Sequence, residues 1–76
     1  MFNANCYDAM GNTPLHIAAH RGLLPVVRWL VEDRGAMVTP LNHDNYSPID
    51  MAYVCGYEDV VWYLHNRSRR LGRQFN

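Results

Sequence analysis

The sequence predicts an all-α solenoid of stacked helix–turn–helix units, and three observations carry that expectation. The run GNTPLHIAAHRGLLPVVRWLV, Gly11 to Val31, returns after 34 residues as NYSPIDMAYVCGYEDVVWYLH, Asn45 to His65. A period of this length marks supersecondary units that cover one another's apolar faces. Within each copy the apolar residues recur at helical spacing, and both copies carry the same punctuation: a hydroxyl residue before proline at the start and glycine in the middle. Stacked units align surfaces for partners rather than enclosing a chemical site, so the repeat points to binding.

The first unit starts at Thr13-Pro14. Threonine can accept from first-turn amides, and proline fits the first helical position because its missing N–H would have no intrahelical partner. Ser47-Pro48 repeats the signal. Leu15, Ala18 and Ala19 then give a short inner helix whose small residues admit a neighbouring helix, and Gly22 ends it. Leu23 to Arg34 is expected as an outer helix, with Pro25 tolerated in its first turn and Val26, Val27, Leu30 and Val31 on one buried face. Gly35 ends that helix. Met37 to Asn45, with Val38, Pro40, Asn42 and Asp44, reads as a loop or short hairpin.

These residues carry a resemblance. GNTPLHIAAHRG followed by VVRWLV and GAMV resembles the ankyrin repeat, with its TPLH-A signature and the hairpins between its units. The second unit is looser, with SPID for TPLH and Ala52-Tyr53 for the alanine pair. The resemblance places repeat one at about residues 8–41, repeat two at about 42–66 and a basic tail at 67–76, in a single domain. The spacing exceeds the family's about 33 residues by one, and the extra residue falls within Glu32-Asp33-Arg34, where it should lengthen the outer helix. Asn45 stands where the family has glycine, a mild departure because asparagine also visits positive φ.

The resemblance also implies a helix-bracing role for His16, whose imidazole would bond to the turn and link adjacent hairpins. Asn5-Cys6-Tyr7-Asp8 is similar to the descending half of such a hairpin. Two units are fewer than solenoids ordinarily need. A piece of a longer array, a self-associating short protein and a small domain capped at both ends are all consistent with that.

Composition narrows the function. The net charge is formally zero, so no overall field recruits nucleic acid or membrane. All seven acids lie before residue 65, whereas Arg67, Arg69, Arg70 and Arg73 crowd the tail without an acid. Four arginines without interleaved aromatics match nucleic acid poorly; the tail reads as a solvated helix end, a weak nuclear-import or phosphate-binding patch, or a cap on the last repeat. Two cysteines, Cys6 and Cys55, make no disulfide framework, and with no long apolar run or signal peptide the chain is expected in the cytoplasm or nucleus.

Catalytic patterns are weak. Cys6, Cys55, Ser47 and Ser68 sit in no nucleophile elbow or cysteine-enzyme context, and no glycine-rich phosphate loop occurs. His16 and His20 stand one helical turn apart, yet no third ligand has a recognisable spacing. The chain is therefore read as no enzyme, with no cofactor and no metal. By resemblance, its partner is another protein or a neighbouring ankyrin repeat, bound at the hairpin tips and the inner helices. The matching positions are Ala9, Met10, Asn12, His20 and Arg21 in the first unit and His43, Asp44, Tyr46, Val54 and Cys55 in the second. Trp62 is a separate candidate: it aligns with Arg28 on the outward side of its helix, whereas Trp29 aligns with Tyr63 on the packed side. Cover from Leu71 or Phe75 is the alternative for Trp62, and a structural spacer or self-association segment is the alternative for the whole chain.

Overall fold

The computed structural model describes residues 3–72, with side chains through residue 68. Four helices follow in order, α1 (Pro14–His20), α2 (Leu24–Glu32), α3 (Pro48–Cys55) and α4 (Glu58–Gly72), and no strand occurs among the described residues. The inner helices α1 and α3 pack on each other, each unit's outer helix packs on its inner one, and α2 meets α4 in the second layer. This is the expected two-layer, all-α ankyrin arrangement.

Local chemistry sets both inner helices alike. Thr13 Oγ1 accepts from His16 N–H, while the His16 side chain accepts from Thr13 N–H. Ser47 and Asp50 form the same reciprocal box on α3. Each box satisfies amides that the first helical turn would leave without partners. The far ends also match: Leu23 N–H returns to Ala18 O and Tyr57 N–H to Ala52 O, across Gly22 (φ 69) and Gly56 (φ 82). That closure requires a left-handed residue, which glycine supplies without a Cβ penalty.

The core is one sandwich between the layers. Leu15, Ala19, Val27, Ala52, Val60 and Leu64 are each 0% exposed, and Ala18 and Leu30 nearly so. Alanines on the inner helices let α1 and α3 approach closely, and the valine and leucine rows of α2 and α4 fill the space behind them. Every buried side-chain nitrogen and oxygen among the described residues has a hydrogen-bond partner, as a close-packed interior requires.

Three expectations change. The first outer helix spans Leu24–Glu32 rather than Leu23 to Arg34, because Leu23 is its cap and Arg34 N–H already turns back to Trp29 O. The extra residue therefore lies in the turn before Gly35 and does not lengthen the helix. Val26 does not join Val27, Leu30 and Val31 inside: it is 40% exposed, whereas its counterpart Val60 is buried. Trp29 is likewise not on a packed side, being 45% exposed with the Arg34 guanidinium 5.8 Å from its ring centre. Both face the direction in which repeat two has repeat one beneath it, and repeat one has no described unit beneath it.

Candidate functional site

The two loops that precede the inner helices form tips of one design. Asp8 Oδ1 accepts from the amides of Met10 and Asn12, and Gly11 N–H closes the turn onto Asp8 O. In the second tip Asn42 Oδ1 accepts from Asp44 and Tyr46, and Asn45 N–H closes onto Asn42 O. Asn45 takes φ 66 where Gly11 takes φ 80, so asparagine serves the left-handed position as expected. Carboxylate and amide oxygens holding two amides each fix such turns from within.

The tips are then tied to one another. His43 N–H donates to Met10 O at 2.9 Å, and Asn42 Nδ2 donates to Asn12 Oδ1 at 2.8 Å. Behind them His16, wholly buried, spans the units: its Nδ1 accepts from Thr13 N–H, which leaves the proton on Nε2 to donate to Tyr46 O at 2.8 Å. This is the bracing role that the TPLH resemblance implied. Gly11 has a close-approach duty as well, since a Cβ there would lie 2.7 Å from the His43 ring.

On this frame Met10, His20, Arg21, His43, Asp44, Tyr46, Val54 and Cys55 are all exposed. Asn12 is half-buried and its amide oxygen is engaged by Asn42, so it positions the tips. At the far end of the inner helices Cys55 Sγ lies 3.4 Å from His20 Nδ1, within hydrogen-bond reach. The structure thus brings His20 and Cys55 together from positions 35 residues apart. Trp62 stands apart from the tips on α4, in the outer layer, and is 67% exposed. The cover expected from Leu71 or Phe75 lies outside the described side chains.

Sequence reasoning missed two contacts. Tyr57 lies flat against Gly22, where a Cβ would come within 2.6 Å of the ring. Tyr63 in α4 donates its hydroxyl to Glu32 Oε2 of α2 at 2.6 Å. Burial, seconded by that carboxylate, raises the Tyr63 hydroxyl to about 12, and the same hydrogen bond holds Glu32 below its ordinary value. The charge and hydroxyl could be read in the sequence, but their meeting across units could not.

No group of three or more histidine, cysteine or acidic side chains gathers as a metal site among the described residues. No described helix is long and apolar enough to cross a membrane. The arrangement offers an exposed surface of mixed chemistry on an internally braced support.

Comparison with known proteins agrees with this geometry. The family described as Ankyrin repeats (3 copies) matches residues 1–74. The Notch-regulated ankyrin repeat-containing protein B of Danio rerio is 35% identical over 68 residues, which is 90% of this chain and 60% of that protein. The Notch-regulated ankyrin repeat-containing protein of Homo sapiens is 34% identical over 68 residues, covering 90% of this chain and 59% of that protein. The potassium channel GORK of Arabidopsis thaliana is 38% identical over 64 residues, covering 84% of this chain but 8% of the channel. The chain spans about 60% of the length of the Notch-regulated relatives. Ankyrin repeats bind other proteins as non-enzymatic modules, and with its helix pairs, its cross-braced tips and this match over nearly its whole length, the chain belongs to the ankyrin-repeat family.

Proposed function

We propose that this chain is a non-enzymatic protein-interaction module that presents a partner-binding surface from its hairpin tips and inner helices, in the cytoplasm or nucleus. The observation that carries the reading is the backbone link His43 N–H to Met10 O, backed by the His16 bridge. It holds the two tips in register without using the side chains that a partner would meet. A surface ordered before binding loses less conformational freedom on capture. Met10 and Tyr46 then serve as apolar anchors, while His20, Arg21 and Asp44 provide polar selectivity.

A specific observation favours one other role, that of a spacer within a longer array. Ile17, Val26 and Trp29 are 45%, 40% and 45% exposed. They are the counterparts of Met51, Val60 and Tyr63, which pack repeat two onto repeat one. A neighbouring ankyrin repeat would cover them in the same way.

The test is capture from cell extract by the immobilised chain, compared with its Arg21→Ala, Tyr46→Ala double variant and quantified protein by protein. The double variant should retain its thermal midpoint and lose most of the captured protein. Capture that persists undiminished would remove the tip surface from consideration. Alkylation of Cys55 gives an independent reading, because a partner seated on the inner helices should slow it.

A further inference from the structure

The far ends of the inner helices bring together two metal-ligating side chains that the repeat itself does not explain. His20 is the last residue of α1 and Cys55 the last of α3. In the repeat alignment His20 corresponds to Val54 and Cys55 to Arg21, so neither unit contains the pair and stacking alone creates it. No sequence spacing advertises it, because the two stand 35 residues apart. Both side chains are exposed. The units are already held by the His16 bridge, the tip hydrogen bonds and the buried core, so packing gives the pair no task.

The geometry of the pair is that of a chelate. Cys55 Sγ lies 3.4 Å from His20 Nδ1. Zinc held by a thiolate at about 2.3 Å and an imidazole at about 2.0–2.1 Å keeps the two donor atoms about 3.5–3.6 Å apart when the angle between the bonds is tetrahedral. The observed spacing is therefore within about 0.2 Å of a tetrahedral bite, and an ion can enter beside the pair with little movement. Entry replaces the hydrogen bond: Sγ releases its proton to solvent and binds as thiolate, while Nδ1 offers its lone pair and Nε2 keeps the ring proton. Helix direction favours the same charge. Both residues close C-terminal turns, where the carbonyl ends carry partial negative charge and stabilise a cation. Arg21 follows His20 but is exposed, so solvent and salt screen its repulsion.

We propose that His20 and Cys55 bind a divalent cation of the zinc class, and that the bound ion clamps the two units at the end opposite the tips. Two protein donors leave two tetrahedral positions for water, so this is an open site rather than a closed four-ligand one. Thiolate with imidazole selects zinc over magnesium and calcium, which take oxygen ligands. Because the donors belong to different units, the chelate exists only where α1 and α3 are stacked, and binding stabilises that state by mass action. The clamp does not rest on the tip surface proposed above, and its failure leaves that proposal standing.

The test is titration of the full chain with Co²⁺ and then Zn²⁺ under a phosphine reductant, with no partner present. Cobalt is the optical probe, since a thiolate ligand gives it a charge-transfer band in the near ultraviolet, and zinc should displace it. The wild-type chain should bind one ion per chain, and its thermal midpoint should rise with added Zn²⁺. Cys55→Ser should abolish the band and His20→Ala should weaken binding at least tenfold, both at unchanged helix content by circular dichroism. Cys6→Ser removes the other thiol and should change neither band nor affinity. A wild-type chain without the band would overturn the proposal. So would a band lost in Cys6→Ser, or an affinity unchanged in His20→Ala, because a single thiolate would then be the whole site. A midpoint that stays fixed in saturating Zn²⁺ would refute the clamp.

Discussion

His16→Asn separates the two tasks of one side chain. The asparagine oxygen can still accept from Thr13 N–H, as the Asp50 oxygen accepts from Ser47 N–H in the second unit, so the helix cap survives. Its amide is too short to reach Tyr46 O, which the imidazole meets at 2.8 Å. The carbonyl keeps Asn42 N–H at 2.9 Å but loses the bond that bridges the units, and the smaller side chain leaves space in a site that is 0% exposed. The lost hydrogen bond between the units together with a partial cavity costs about 2 kcal/mol. A domain of this size has about 4–11 kcal/mol of total stability. The same loss lowers its thermal midpoint by about 8–16 °C. The control is Asp50→Asn, which keeps the second cap and touches no bridge between the described units; its midpoint should move by less than about 3 °C, as surface substitutions do. Thermal unfolding followed by circular dichroism reads both. Equal shifts for the two variants would refute the reasoning, because they would show that the cap, and not the bridge between units, carries the energy of His16.

Two further outcomes follow from contacts across the units. Gly22→Ala should destabilise by about 2–3 kcal/mol, since the new methyl meets the Tyr57 ring at a positive φ, whereas Gly35→Ala, at φ 70 with nothing within 4 Å, should cost only about 1 kcal/mol; urea midpoints measure the difference. The Tyr63 hydroxyl is raised from 10.0 to about 12 in the folded chain, so its contribution is complete below pH 10 and is lost as pH rises towards 12. No lysine is present to titrate in that window, and Tyr63→Phe should flatten the alkaline fall of the urea midpoint. Glu32 has the opposite sense: with its folded value lowered beneath 4.5, its contribution is present above that pH and lost as pH falls through the lowered value.

Much of the fold was legible because its signals are local. Thr13-Pro14 and Ser47-Pro48 start helices through groups three residues away, and Gly22 and Gly56 stop them in the same manner. The tips were legible in outline from Asn42, Asp44 and Asn45, and Met10, Arg21, Asp44 and Tyr46 were candidates by resemblance to the ankyrin repeat. The errors of burial have a common cause. Val26 and Val60 are the same residue at the same register of the same repeat, yet one is exposed and the other buried. In a solenoid, burial belongs to a position only when another unit lies next to it, and periodicity within one helix carries no information about that neighbour. The pairing of Cys55 with His20, the seat of Tyr57 on Gly22 and the Tyr63–Glu32 bond arise in the same way, from residues brought together by stacking.

The link between the tips has an evolutionary consequence. Because Met10 contributes its carbonyl and His43 its amide, the register of the two loops is independent of which side chains stand at their ends. Met10 and Asp44 can therefore mutate with little effect on folding, while every change alters the face that a partner meets. Positions of this kind drift freely under selection for stability and respond quickly to selection for recognition, so related chains with the same scaffold can acquire unrelated partners in a few substitutions.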